Sequence, residues 1–167
     1  MKYLFRTLLF ALLLTGCSDA GLSVGTDTGV IVDNFGNNVI TGFHFDRNGY
    51  VWMVPSSGRY LFRTDGSVII RYEHSPDQPG SLAASKVNDL VIDSQGAVWV
   101  ATQLGVDRFD QSRGCFDHIP IDDNNKYVID MTRSQDDRIC IITRRNLLEL
   151  DRASGRFLRK IQARCHT

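Results

Sequence analysis

Short apolar runs separated by turn residues dominate the chain from Val39 onward, and the Val87–Asp110 stretch shows the pattern at its clearest. Val87-Asn88-Asp89-Leu90-Val91-Ile92 leads into the polar Asp93-Ser94-Gln95-Gly96, Ala97-Val98-Trp99-Val100-Ala101-Thr102 follows, and Gly105-Val106-Asp107-Arg108-Phe109-Asp110 closes the stretch. Runs of β-branched and aromatic residues punctuated by Gly and Asp predict consecutive antiparallel strands. With Cys115–Ile119 added, the expected strands are Val87–Ile92, Ala97–Thr102, Gly105–Asp110 and Cys115–Ile119. Asp65-Gly66, between Tyr60–Arg63 and Val68–Arg71, is a two-residue hairpin signal.

The pattern recurs. Asp46, Gly49 and Trp52 precede Asp93, Gly96 and Trp99 by 47 residues each, and Gly58–Phe62 keeps that offset to Gly105–Phe109. A third copy, Met131–Thr143, lies 41 residues after Leu90–Thr102, placing Cys140 where Trp99 stands and Thr143 opposite Thr102. It lacks both the Trp and the turn glycine. Four short strands in a repeat of about 40–50 residues are the signature of a β-propeller blade. Helical repeats of similar period need sustained 3.6-residue periodicity, which the chain does not show. The fold class is all-β: about three four-stranded blades, near 39–80, 87–120 and 128–162, forming an incomplete propeller. Propellers have about 4–8 blades. The first and third copies are therefore expected to leave open edges, as in a fragment or one part of a larger assembly.

Charge narrows the partners. The 19 basic and 19 acidic side chains cancel, so nothing favours a nucleic-acid partner. The first 17 residues are a different object: Lys2 and Arg6, then apolar Leu8–Leu14, then Leu14-Thr15-Gly16-Cys17. That order reads as a secretory signal over 1–16, too short an apolar run to span a bilayer. The cysteine directly after a small residue resembles a bacterial lipobox, which implies lipid attachment at Cys17 and a protein exported to the periplasmic face of a membrane. The alternative is an ordinary signal with an incidental Cys17. Residues 17–38 read as an exported lead-in, with Gly29–Val32 as a possible closing strand. Acylation of Cys17 would leave an odd number of cysteines, so Cys115 and Cys140 are expected to be small buried hydrophobes, with a Cys115–Cys140 bridge as the alternative.

The chemistry-bearing residues mostly have bland readings. Asp46-Arg47-Asn48-Gly49 and Asp93-Ser94-Gln95-Gly96 offer one Asp each, far short of the six or so oxygens of a calcium loop, and read as hairpin turns. Trp52 and Trp99 could stack on a sugar, but their shared place in the repeat favours packing between blades. Thr102, Thr143 and Gly105 read as structural in the same way. His44, His74, His118 and His166 share no metal-ligand spacing, and no nucleophile elbow or phosphate loop is present. No catalytic module, cofactor or metal is expected. The residues placed best for a ligand contact are Tyr72 and His74, on the inter-blade loop, and the basic pair Arg144-Arg145 at a turn.

The loop Tyr72-Glu73-His74-Ser75-Pro76-Asp77-Gln78-Pro79-Gly80-Ser81-Leu82, followed by Val87-Asn88-Asp89-Leu90, Asp93–Thr102 and Gly105–Asp110, resembles the two-component regulator propeller repeat. The likeness is strongest in the second copy and weakest in the third, where Asp137 and Cys140 depart from Gly and Trp. Such repeats form the periplasmic sensor region of hybrid two-component systems. The resemblance implies a ligand-sensing propeller that takes an oligosaccharide and works beside a histidine kinase absent from this chain. The rival expectation is a free-standing, lipid-anchored binding or scaffold protein that completes its ring by self-association.

Overall fold

The computed structural model describes residues 39–119, 121, 126–152 and 155–161. The segments expected to be a signal and a lead-in, Gly29–Val32 among them, and Cys17 and Cys165 lie outside them. The described residues are all β. Twelve strands form three four-stranded antiparallel sheets. Blade one holds β1 (Ile40–Phe45), β2 (Val51–Pro55), β3 (Leu61–Thr64) and β4 (Ile69–Tyr72). Blade two holds β5 (Val87–Ile92), β6 (Val98–Thr102), β7 (Gly105–Asp110) and β8 (Cys115–Ile119). Blade three holds β9 (Val128–Arg133), β10 (Ile139–Thr143), β11 (Leu147–Asp151) and β12 (Arg156–Ile161). Each sheet pairs its strands in sequence order, and the ring they begin is unclosed.

The repeat is visible in the ladder itself. His44 faces Trp52, Val91 faces Trp99 and Thr132 faces Cys140, and in all three blades the first strand is bulged near its start. Trp99 pairs with Arg108 and Cys140 with Glu149, so the 41-residue offset carries through β11. Blade one departs from its expected register at the second hairpin. Trp52 pairs with Arg63, eleven residues on, whereas Trp99 pairs with Arg108, nine residues on. The Gly58-to-Gly105 correspondence is therefore corrected: β3 aligns with β7 two residues later. The physical reason is Pro55, which stands where Thr102 stands in blade two. Thr102 Oγ1 donates to the Gly105 carbonyl at 3.0 Å and accepts Leu104 N–H at 3.2 Å, closing a short hairpin. Proline has no such hydroxyl, and the connection is longer.

The Asp turns and the tryptophans form one unit. Asp46 Oδ1 accepts the Asn48 and Tyr50 amides at 2.9 and 3.0 Å, and its Oδ2 accepts the Trp52 indole N–H at 2.9 Å. Asp93 does the same with Gln95, Ala97 and the Trp99 indole, at 2.9, 2.9 and 3.1 Å. In blade three both partners change together. Ser134 Oγ accepts the Arg138 amide at 3.0 Å, and Cys140 has no N–H to offer. Asp137 replaces the turn glycine and takes its left-handed backbone, with φ 60°. Its carboxylate then reaches the Ser94 hydroxyl, the Ser94 amide at 3.0 Å and, at 2.5 Å, Arg152, tying the third turn to the second.

Two cores fill the seams. Trp52, Val54, Leu61 and Tyr72 of blade one pack on Leu90, Val98, Val100 and Phe109 of blade two. Val91, Trp99, Ala101 and Val106 of blade two pack on Met131, Ile139 and Ile141 of blade three. Both indoles are fully buried, so truncating either to Ala costs about 3–5 kcal/mol. The cysteine expectation is corrected in part. Cys140 is a free, half-buried thiol and forms no bridge to Cys115. Cys115 is buried but disulfide-bonded, not a free thiol.

Candidate functional site

Chain direction decides which loops share a face. Every first strand begins, and every fourth strand ends, at the same end of its blade. The β4–β5 and β8–β9 connections and the β2–β3, β6–β7 and β10–β11 hairpins therefore lie together, opposite the Asp46, Asp93 and Ser134 turns. Tyr72, His74, Arg144 and Arg145 all belong to this loop-rich face.

Within it their surroundings differ. Tyr72 is buried; its ring stacks on Trp52 at 5.7 Å and meets Phe109 and Phe116 edge-on at 5.4 Å. Burial raises its phenol pKa, and Arg63 lies 3.4 Å from the hydroxyl. It forms one wall of a cleft of about 150 Å³ with Glu73, Ser75, Gln78, Gly80, Ser81 and Phe116. His74 holds the loop shut, its Nδ1 lying 2.6 Å from the Leu82 carbonyl. Buried Ser81 completes the closure, its Oγ accepting the Ser75 amide at 3.0 Å and donating to the Ser75 carbonyl at 2.9 Å. Asp107, fully buried on β7, anchors the loop from below by accepting the Ala83 amide at 2.8 Å. It also meets His118 Nδ1 at 3.0 Å, and that hydrogen bond raises the imidazole pKa. The exposed Arg144 stacks over Tyr127 at 4.9 Å, and Arg145 is exposed beside it.

The structure adds a pair that sequence reasoning missed. The bulges of β5 and β9 fall at their loop-face ends, next to Asp89 and Asp130. Bulges re-aim side chains. Here they bring two carboxylates from adjacent first strands to one donor: Met131 N–H lies 2.9 Å from Asp89 Oδ2 and 2.9 Å from Asp130 Oδ1. Burial, and then the hydrogen bond with Asp130, push the Asp89 carboxyl up to about 6. Asn88 Nδ2, at the bulge, donates to the Val128 carbonyl at 2.5 Å across the same seam. Gly42 occupies the matching place in blade one. The repeat offset carried the signal, since Asp130 follows Asp89 by 41 residues. The loop-face ends of β5 and β9 carry this carboxylate pair and the Asn88 amide, and the β10–β11 hairpin on the same face carries Arg144 and Arg145, groups able to hydrogen-bond a hydroxyl-rich ligand.

The opposite face carries ion pairs of its own. Its largest described cleft, about 460 Å³, is lined by Asp136, Asp137, Arg138, Glu149, Leu150, Asp151 and Arg152. Arg138 pairs with Glu149 at 3.3 Å and Arg152 with Asp137 at 2.5 Å. Among the described residues no group of three or more His, Cys, Asp or Glu side chains could hold a metal ion. None of these residues forms a helix long and apolar enough to cross a membrane.

Residues 81–103, from the end of the inter-blade loop through β6, match the two component regulator propeller family. The chain carries a two component regulator propeller repeat. No curated protein matches it at a significant level. Among solved structures, the extracellular domain of a hybrid two component system from B. thetaiotaomicron is similar, with 23% identity and a TM-score of 0.62 over 74% of this chain and 18% of that one. Virginiamycin B lyase from Staphylococcus aureus has 18% identity and a TM-score of 0.58 over 76% of this chain and 42% of the lyase. The WD40 domain of Neurospora crassa Pan2 has 19% identity and a TM-score of 0.52 over 74% of this chain and 36% of that one. At these identities the likeness establishes the propeller fold. The chain spans less than half the length of each.

Proposed function

We propose that this propeller region is a ligand-sensing module of two-component signal transduction, exported and non-catalytic in itself. The observation that carries the reading is the regulator propeller repeat at residues 81–103, which ends on the strands that carry the bulged mouth. The similarity to an extracellular sensor domain supports it. The lyase-like neighbours share the fold, but His44, His74 and His118 lie on different elements, and the Asp107–His118 and Asp89–Asp130 contacts tie strands and loop together. The proposed ligand is an oligosaccharide, bound at the loop-rich face by Arg144, Arg145 and Asp130, with Tyr72 and His74 shaping the adjoining loop. Neutral sugars are recognised by hydrogen bonds to hydroxyls and by aromatic surface, and this face offers both. The N-terminal sequence supports export with lipid attachment at Cys17, which mass spectrometry of the membrane fraction checks.

Calorimetry with oligosaccharides from polysaccharide digests tests the ligand. Binding by the parent protein that weakens about tenfold or more in Arg145→Ala and Asp130→Asn, each a loss of about 1.4 kcal/mol, is the expected result. Binding untouched by either substitution, or absent throughout the panel, refutes the site.

A further inference from the structure

The loop between blades one and two is braced by its own groups. Leu82 N–H donates to the Glu73 carbonyl at 3.4 Å, and the His74 and Ser81 hydrogen bonds join the two legs again. Between them Gln78 N–H meets the Ser75 carbonyl at 3.2 Å, and Ser81 N–H meets the Gln78 carbonyl at 3.1 Å. A compact loop tied up in this way moves as one body about its ends. Leu82, buried in the first seam, is the root about which it turns. Two hydrogen bonds fasten the loop to blade two: Phe116 N–H donates to the Gly80 carbonyl at 2.8 Å, and Ala83 N–H donates to Asp107 Oδ2 at 2.8 Å. Between loop and blade lies the cleft of about 150 Å³, with Tyr72 and Phe116 on the blade side and Ser75, Gln78 and Ser81 on the loop side.

The two fastenings differ in kind. Gly80 and Phe116 join backbone to backbone, whereas Ala83 is held by the carboxylate of a fully buried side chain. Asp107 lies beside the apolar Val100 on β6, and a buried carboxylate is costly unless an opposite charge and hydrogen bonds satisfy it. His118, paired with Asp107 across β8, supplies both, its Nδ1 lying 3.0 Å from Asp107 Oδ1. Its imidazole is 43% exposed and so exchanges its proton with solvent. The neighbouring charges are engaged elsewhere. Arg71 pairs with Glu73 at 3.5 Å, Lys86 donates to the Ser57 carbonyl at 2.9 Å, and Arg113 pairs with Asp110 and Asp117 at 2.7 and 2.5 Å. On the loop itself His74 faces the Leu82 carbonyl and Asp77 is exposed.

We propose that residues 73–83 form a latched strap over the Tyr72–Phe116 cleft: the charged His118–Asp107 pair holds it shut, and loss of the imidazole proton releases it. The hydrogen bond from Asp107 raises the His118 pKa above its ordinary 6.5, and the charges of Asp107 and Asp117 add to it. A raised pKa sets the sign: the pair's contribution is fully present below pH 6.5 and is lost as pH rises through the raised value. Once His118 is neutral, Asp107 is a buried anion held by uncharged donors. Turning its carboxylate toward water relieves that burial and frees the Ala83 N–H. The Gly80–Phe116 bond then holds the strap alone, and a swing about Leu82 opens the two rings of the cleft to solvent. The latch does not depend on the ligand proposed for the loop-rich face.

Amide hydrogen exchange of the full chain, read by mass spectrometry at about pH 5.5 and about pH 8.5 and corrected for the intrinsic rate at each pH, tests the latch. A hydrogen bond to a charged partner is about twice as strong as a neutral one, so protection of the 73–84 segment is expected to fall about fivefold or more between the two conditions. Protection of β6 is expected to stay constant. His118→Gln, at a half-exposed place on an outer strand, is expected to give the lower protection at both pH values. Asp107→Asn, which keeps an acceptor for the Ala83 amide without a buried charge, is expected to stay closed at both. Equal protection of the 73–84 segment in the parent protein at the two pH values overturns the proposal. So does a pH effect that survives His118→Gln, which assigns it to another group such as His74, or a loss of protection that β6 shares.

Discussion

The Asp–Trp pairing is the sharpest point at which to test how this repeat is held together. Asp93→Asn keeps shape and volume but changes one thing. If the amide oxygen keeps the Gln95 and Ala97 amides, its NH2 group faces the Trp99 indole N–H, and two donors meet where a donor and a carboxylate met. A hydrogen bond to a charged group contributes about 1.5–3 kcal/mol, and the buried indole N–H loses its partner as well. Arg152, 3.6 Å from the Asp93 carboxylate, loses part of its charge pairing. The expected total is about 3 kcal/mol. Asp46→Asn removes the same indole bond and is expected to cost about 2 kcal/mol. Ser134→Ala in blade three removes one exposed bond to the Arg138 amide and is expected to cost about 0.5–1 kcal/mol. Urea denaturation followed by far-UV circular dichroism measures all three, with the midpoint shift read as stability when the slope is unchanged. In a Trp99→Phe background the clash has no indole to act on, and the cost of Asp93→Asn is expected to fall by about 1–2 kcal/mol. An Asp93→Asn cost no greater than that of Ser134→Ala, or strict additivity with Trp99→Phe, would refute the reasoning.

Two further outcomes follow from the same geometry. Because the Asp89 carboxyl is raised from about 3.8 to about 6, the folded state holds its proton more tightly than the unfolded chain. Its contribution is thus fully present below pH 3.8 and lost as pH rises through about 6. With the group half in solvent the effect is roughly 1 kcal/mol, and Asp89→Asn is expected to flatten the stability profile between these limits; an unchanged profile contradicts the shared-donor geometry. Gly49 and Gly58 both take positive φ, but a Cβ at Gly49 meets open space whereas one at Gly58 would lie 2.4 Å from the Val87 carbonyl oxygen. Gly49→Ala is expected to cost about 1–2 kcal/mol for backbone strain alone and Gly58→Ala at least about 3 kcal/mol, by thermal or urea unfolding.

The loop-rich face was legible only in outline. Tyr72 and His74 were conspicuous as aromatic and titratable residues on a long loop, but their identity could not show that one is buried against Trp52 and the other ties down Leu82. Both outcomes depend on residues distant in sequence. Asp89 and Asp130 carried a readable signal in their matched place in the repeat, yet an acidic residue in a strand run looks the same whether it is re-aimed by a bulge or not. Asp107 was equally visible and equally mute, since its partners, Ala83 and His118, come from a loop and another strand.

The linear chain determined the three four-stranded copies, the strand order and the Asp turns of the first two, because side-chain alternation, glycine turns and a recurring Asp-x-x-Gly-x-x-Trp are local properties that need no partner. It also determined that Trp52 and Trp99 serve the seams, since a residue repeated in register meets the same environment in each blade. Only the tertiary structure decided the rest. Pro55 lengthens a hairpin and slips its register by two residues because a hydroxyl is missing from a turn. Asp137, standing in for glycine, turns a lost residue into a clamp between blades. Phe43 and Phe45 are largely exposed, although Leu90, which holds Phe43's place in the second copy, is fully buried. Burial belongs to a pair of surfaces, and one chain's pattern specifies only one of them.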